Sequence, residues 1–268
     1  MKEMDEYDFW ASVALATNVQ EAEAAIVPYL SQLFSVQSII LIRFSQNGDP
    51  EILFRWIPDK DLRNFFDDSY PKLGFMLDPY FQMAFAVDDW QAFGLREIAP
   101  DRFETSEYFA NYFGRTNMVD EMGFVVRLGA TSSAHLSLGR NSGHRRLRSN
   151  ELPRFKQLAK VLAPKLRQIL KQQPPHAEIS DGVPLHQRYY VLAKERGTGI
   201  SLREAEVAAL IVQGHSSRAI GLRLGIATQT VKVHRRTLYK KLHISSQSEM
   251  FGLLNSYVGS PKPVRAGE

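Results

Sequence analysis

Residues 201–242 carry helix start and stop signals at a spacing that leaves little choice of fold for this part of the chain. Ser201 and Glu204 form the pattern of a capping box, which opens a helix with an apolar stripe. Gly214 stands where that helix should end. A second, shorter helix follows and ends at Gly225. The pattern therefore predicts two short helices, each closed by a glycine.

A third helix is predicted over residues 228–242, and its polar faces are rich in Lys and Arg. Val231, Leu238 and Leu242 supply its apolar face. Two helices joined by a glycine turn, the second of them basic, predict a helix-turn-helix whose second helix enters the major groove of DNA, about 12 Å wide. The candidate DNA-contacting residues are Thr230, Lys232, Val233, His234, Arg235, Arg236, Lys240 and Lys241.

Charge is distributed unevenly along the chain. Residues 1–139 contain 10 Lys and Arg against 21 Asp and Glu, residues 140–199 contain 13 against 4, and residues 200–268 contain 10 against 4. An acidic first half followed by a basic second half is typical of a protein that binds a polyanion through one part of its chain. The distribution favours double-stranded DNA as the partner of the C-terminal part.

The sequence divides into two domains. Residues 172–186 read as a linker, because prolines remove amide donors and little apolar surface is available for burial. We predict a first domain over residues 1–171, a helix-turn-helix domain over residues 187–258 and a flexible tail over residues 259–268. No apolar run approaches the roughly 20 residues that span a bilayer, and the N-terminus lacks a signal-peptide pattern, so we expect a cytoplasmic protein without membrane contact.

The first domain shows strand and helix patterns in mixed order. Strands are expected over residues 38–44, 52–57, 124–128 and 134–138, and Asn47-Gly48 predicts a hairpin turn between the first two. Helices are expected over residues 7–16, 21–34, 60–66, 79–86, 105–121 and 150–172. This order predicts an α+β fold: an N-terminal α/β/α sandwich around an antiparallel sheet, linked to a small all-α domain of four helices.

Aromatic side chains crowd the first domain, and we expect some of them to line a cavity for a small effector while others form the core. Asp78 lies among apolar residues and needs a hydrogen-bond donor, which could be a ligand group, a backbone amide or an arginine. The predicted effector-contacting residues are Trp56, Phe65, Tyr70, Asp78 and Trp90. Another cluster, between Arg140 and Arg148, is interpreted as a solvated loop, with partner or DNA contact as alternatives.

Residues 200–257 resemble the LuxR-type DNA-binding domain, also described as NarL/FixJ-like. The matching residues are Arg203, Glu204, Glu206, Val207, Gly214, Ile220, Leu224, Gly225, Thr230, Val231, Lys232, His234, Lys241, Leu242 and Glu249. The resemblance implies four helices, of which the third reads DNA and the fourth forms a dimer contact. By position, Lys232, Val233 and Arg236 would face bases, and the other five candidates would lie nearer the DNA backbone. Ala227 departs from the family, which usually has a serine or threonine cap there.

The first domain is similar to the autoinducer-binding, GAF-like or PAS-like, domain of LuxR quorum-sensing proteins. The order of Pro58, Tyr70, Asp78-Pro79 and the later strands carries this likeness, and Asp78 matches the family aspartate that holds the ligand amide. Asp61 and Phe65 stand near where the family has a tryptophan donor and a tyrosine hydroxyl. Buried carbonyls without donors cost about 1–3 kcal/mol each, which favours an effector other than an acyl-homoserine lactone.

Other functions are less well supported. A phosphorylated receiver domain requires alternating strands and helices, whereas the first half shows hairpins. The motifs of common hydrolases, nucleotide-binding enzymes and zinc proteases are absent, so we expect no enzyme, no cofactor and no metal. Control by protein contact through the first domain remains an alternative, as does a classical acyl-homoserine-lactone receptor.

The sequence as a whole predicts a homodimeric, ligand-responsive transcriptional regulator. A small effector in the first domain would shift the paired second domains toward or away from the spacing of a two-fold operator. RNA polymerase is left open as a further partner.

Overall fold

The computed structural model describes residues 4–46, 49–70, 74–106, 108–173 and 185–258. The chain divides into two units, the first comprising Met1–Ala99 with Tyr112–Gly182 and the second Pro100–Asn111 with Val183–Glu268. The division after residue 182 falls within the stretch expected to be a linker. Residues 100–111 group with the second unit, whereas the sequence placed them in the first domain. Residues 174–184 of the expected linker and the expected tail over 259–268 lie outside the described residues.

An antiparallel sheet lies at the centre of the first unit. Its strands are β1 (Ser38–Ser45), β2 (Glu51–Trp56), β3 (Trp90–Gly94), β4 (Met118–Arg127) and β5 (Ser132–Asn141). The five strands are ordered β2-β1-β5-β4-β3, with antiparallel neighbours. The predicted hairpin of β1 with β2 is confirmed, and the strands expected over 124–128 and 134–138 lie within β4 and β5, which pair with each other. The Asn47-Gly48 turn lies outside the described residues.

Helices cover both faces of this sheet. They are α1 (Glu6–Leu15), α2 (Val19–Phe34), α3 (Lys60–Ser69), α4 (Phe75–Leu77), α5 (Pro79–Ala84), α6 (Leu95–Ile98) and α7 (Glu151–Gln172). Side chains of α1, α2 and α7 share one hydrophobic core with alternate strand residues, among them Leu41, Phe124 and Leu136. The intervening strand residues point to the other face, where the ring of Tyr80 in α5 stacks on His135. The predicted α/β/α sandwich is thereby confirmed.

The predicted helix over residues 105–121 is wrong. The chain forms short 3-10 turns at Phe103–Thr105 and Gly114–Thr116, with a single π-helical turn between them at Phe109–Phe113. Asn117 then adopts a left-handed conformation with φ of 54°, and β4 begins at the next residue. The end of the expected helix, from Met118 onward, instead pairs with β5, and this pairing outweighs local helix propensity. Strand β3 was not predicted.

The interpretation of Arg140 as part of a solvated loop is also wrong, because its side chain is only 1% exposed. The guanidinium donates to the carbonyl oxygen of Phe34 at the end of α2. It also reaches the carbonyls of Arg145 and Arg146 at 3.3 and 3.2 Å and the Glu151 carboxylate at 3.2 and 3.3 Å. Arg140 thus joins β5 to the end of α2 and the start of α7.

The second unit is helical. Its helices are α8 (Leu185–Glu195), α9 (Leu202–Val212), α10 (Ser217–Leu224), α11 (Thr228–Leu242) and α12 (Gln247–Val258). The four expected helices correspond to α9–α12, and α8 precedes them, joined to α12 by a hydrogen bond of 3.1 Å from the Tyr189 hydroxyl to the carbonyl of Met250. The predicted capping box forms at Ser201. At the start of α12, the Ser246 hydroxyl accepts from the Glu249 amide at 3.1 Å, and the Glu249 carboxylate accepts from the Ser245 amide at 3.2 Å. Within the described ranges, no helix has the length and apolar content that crossing a membrane requires.

Candidate DNA-binding helix and buried polar site

A tight glycine turn sets the angle between α10 and α11. Gly225 ends α10 with φ of 64°, a conformation that favours glycine. Gly221 packs so closely on the turn that an added Cβ would lie 2.7 Å from the carbonyl oxygen of Ile226. Val231 and Leu238 are fully buried and fix α11 to the rest of the unit. As the sequence suggested, Ala227 provides no side-chain cap for α11.

One face of α11 projects into solvent. Val233, at 51% exposure, lies in the middle of this face although it is apolar. We call five exposed residues of this face the exposed stripe: Thr230, Lys232, Val233, Arg236 and Lys240. The three residues expected to face bases all belong to it. A projecting helix face with three cations and a threonine is suited to contact phosphates and base edges at once.

The other three DNA-binding candidates on α11 are partly buried. Arg235 donates to the Tyr239 hydroxyl at 3.0 Å and lies 5.3 Å over that ring. Lys241 donates to both carboxylate oxygens of Glu204, at 3.0 and 2.8 Å. Burial alone would raise the pKa of Glu204, but its bonds to Lys241 and Ser201 lower it. The ammonium of Lys241 is thus engaged inside the unit.

In the first unit, the structure brings together two of the predicted effector residues. The Tyr70 hydroxyl donates to Asp78 Oδ2 at 2.6 Å, and the amide of Tyr80 donates to Oδ1 at 2.8 Å. Of the donors considered for Asp78, the structure shows the backbone amide; the tyrosine hydroxyl was not among them. Burial, followed by the charge of Glu121, raises the pKa of Asp78 to about 6, although His135 and both hydrogen bonds oppose the rise.

Three further polar residues lie on the same face of the sheet and were not predicted as site residues. The Ser137 hydroxyl donates to Glu121 Oε1 at 2.6 Å, and His135 Nε2 lies 3.6 Å from the same oxygen. All three are buried, and the Tyr80 ring stacks on His135 with ring centroids 4.1 Å apart. Gly123 makes room for this arrangement, because a Cβ there would lie 2.6 Å from His135 Cε1. The available signal was the alternation of polar and apolar residues along β4 and β5.

The remaining effector candidates are placed elsewhere. Trp56 and Trp90 pack against the core that the sheet shares with α1, α2 and α7, on the face opposite to His135. Phe65 lies under the guanidinium of Arg115, 4.8 Å from the ring centroid. Among the residues that the structure describes, no group of three or more His, Asp and Glu side chains is arranged to hold a metal ion.

Comparisons with known proteins agree with this geometry. Residues 199–253 match the family model described as bacterial regulatory proteins, luxR family. The chain is 30% identical over 173 residues to a putative HTH-type transcriptional regulator in the exeN 3′ region of Aeromonas salmonicida, covering 62% of this chain and 88% of that protein. It is 34% identical over 56 residues to the putative HTH-type transcriptional regulator YhjB of Escherichia coli strain K12, covering 21% of this chain and 28% of that protein.

Among solved structures, the chain resembles the LBD domain of VqsR from Pseudomonas aeruginosa. The TM-score is 0.52 at 23% identity, over 62% of this chain and 96% of that one. This likeness concerns the fold alone. Because the Aeromonas regulator is matched over most of its length and the family model covers α9–α11, the chain belongs to the luxR family of bacterial regulatory proteins.

Proposed function

We propose that this regulator binds a two-fold DNA site as a homodimer and that a small effector in the first unit controls that binding. The proposal of DNA binding is supported mainly by the exposed stripe on α11, because the stripe presents three cations on a helix that follows a tight turn. In this arrangement, the residues at the start of α11 contact base edges and the cations farther along neutralise phosphates. Lys241 serves as a structural anchor for α11 through Glu204.

The effector half of the proposal rests on the polar site beneath α5. Tyr70 and Asp78 meet there, within a domain whose fold resembles that of the VqsR LBD domain. The face offers two carboxylates, Asp78 and Glu121, and so favours an effector that donates hydrogen bonds. Native mass spectrometry of freshly purified protein, followed by denaturing release, tests this half. A dimer that releases a small molecule supports it. A protein without bound molecules favours control by protein contact through the first unit.

Replacing Arg236 by alanine tests base recognition. Arg236 is exposed near the middle of the stripe, where a bidentate contact to a base can form. We expect the variant to lose about 1–3 kcal/mol of discrimination at one base pair of the preferred site. Selection of binding sites from a random duplex pool, with wild type and variant in parallel, measures this change. An unchanged preference at every position would remove Arg236 from the base-reading set.

Replacing Lys240 by alanine tests phosphate binding. The variant should bind all DNA sequences more weakly by a similar factor. Because Lys240 would neutralise one phosphate, the slope of log affinity against log salt concentration should flatten by about one unit. Lys241→Ala is the matched control, because its ammonium is held by Glu204. Titrations of labelled duplex at several salt concentrations give the slopes. An unchanged slope in Lys240→Ala would remove Lys240 from the phosphate-binding set.

A further inference from the structure

Residues 101–106, part of the segment that groups with the second unit, pack on the turn between α9 and α10. The amide of Arg102 donates to the carbonyl of Gly214 at 3.2 Å. Ser106 is 1% exposed and covers the same glycine, where an added Cβ would lie 2.6 Å from the Cβ of Ser106. Gly214 has φ of 94°, so both its backbone conformation and the close approach of Ser106 require glycine. The segment is thus seated on the helix-turn-helix by specific contacts.

Asp101 places a carboxylate at the start of α10. Its Oδ1 accepts a hydrogen bond of 2.9 Å from the amide of Ser216, the N-cap residue of α10. The Ser216 hydroxyl in turn accepts from the amide of Ala219 at 3.2 Å. Burial alone would raise the pKa of Asp101, but the bonds from Ser216 and the nearby His215 lower it. The carboxylate is therefore held in its charged form at this helix end.

In a helix-turn-helix complex, the first helix of the motif crosses the DNA backbone, and amides at helix N-termini bind phosphate oxygens. In this protein an anion from its own chain already occupies that place. We infer that residues 101–106 form an autoinhibitory strap, in which the Asp101 carboxylate takes the position of a DNA phosphate at the start of α10. DNA must displace Asp101 before α10 can reach the backbone.

The chain connects this strap to the first unit at both ends, since residues 99 and 112 belong to that unit. Release of the strap is therefore a step through which α6 and β4 can influence DNA binding. The inference rests on the proposed DNA-binding function. Comparison of two variants distinguishes a wrong assignment of the strap from an absence of DNA binding.

The test compares Asp101→Ala with Glu104→Ala in the full-length protein. Glu104 is an exposed carboxylate of the same segment, so both variants change the net charge equally. The probe is a duplex selected from a random pool with wild-type protein. We expect Asp101→Ala to bind DNA about fivefold more tightly than Glu104→Ala. In Asp101→Ala, the DNA phosphate no longer competes with a carboxylate for the start of α10, and a charge at a helix end changes affinity by about this factor. Equal affinities of the two variants would overturn the inference, whereas a site selection that yields no binding duplex with either wild type or Asp101→Ala would overturn the proposed function.

Hydrogen exchange provides an independent readout that does not depend on a variant. In the free protein, the Arg102 amide is bonded to Gly214 and should exchange slowly. Addition of the selected duplex should accelerate exchange in peptides covering residues 102–106, because DNA displaces the strap. Peptides covering β4 serve as the internal reference. Unchanged or increased protection of residues 102–106 in the DNA complex would overturn the inference even if Asp101→Ala proves unstable.

Discussion

Replacing Arg140 by alanine should destabilise the first unit by about 3–5 kcal/mol, the range found when one partner of a buried ion pair is removed. The guanidinium is 1% exposed and joins three elements of the fold. Its loss would leave the Phe34 carbonyl at the end of α2 without this donor and would also open a cavity beside β5. Glu151 would lose its most deeply buried cationic partner.

The same carboxylate offers a matched control. Arg145 also bonds to Glu151, at 3.1 and 3.2 Å, but its side chain is 45% exposed. Arg145→Ala should therefore reduce stability by no more than about 1 kcal/mol, as is typical of exposed pairs. Burial would raise the pKa of Glu151, but hydrogen bonds from Arg140, Arg145 and the Arg148 amide lower it to about 2. Both variants should accordingly raise that pKa.

Urea unfolding followed by tryptophan fluorescence measures both variants. All three tryptophans belong to the first unit, so the signal reports that unit alone. Similar losses of stability for Arg140→Ala and Arg145→Ala would show that the buried position of Arg140 carries no special weight. A large loss for Arg140→Ala alone would establish it as the joint between α2, β5 and α7.

The helix-turn-helix could be predicted from the sequence because its signals are local. The capping box at Ser201, together with Gly214 and Gly225, marks where these helices begin and end, and each signal involves residues close together in sequence. The spacing of Lys232, Val233 and Arg236 on one helix then determines that they share a face. Lys241 shows the limit of this reasoning, since its partner Glu204 lies 37 positions earlier and no helical period connects the two.

The buried polar site could be predicted only in part. Tyr70 and Asp78 were identified individually as candidates, whereas their hydrogen bond depends on the path of the chain between α3 and α5. Glu121 falls where a helix was expected, so the sequence could not place it on the face of β4 that α5 covers. Register with β5 sets that place, because Gly123 pairs with Ser137 and strand residues alternate between faces. Arg140 was misjudged for the same reason.

Stability of the first unit should fall by about 2 kcal/mol between pH 4 and pH 6 through the titration of Asp78 alone. Its pKa rises from the ordinary 3.8 to about 6 in the folded protein, mainly because of burial and the charge of Glu121. In this window the folded state holds a proton that the unfolded state has released. Rising pH therefore favours unfolding until the folded carboxyl also ionises, near pH 6.

Asp78→Asn should remove this dependence, and its comparison with wild type at each pH cancels the titration of all other groups. The stability of Asp78→Asn minus that of wild type should increase by about 2–3 kcal/mol from pH 4 to pH 7, whatever its value at pH 4. Asp88→Asn, at an exposed position of the same unit, is the matched control and should show no comparable change. Tryptophan fluorescence again restricts the signal to the first unit. A constant difference for Asp78→Asn would mean that Asp78 is already ionised at pH 4 in the folded protein, and that its surroundings stabilise the carboxylate despite its burial.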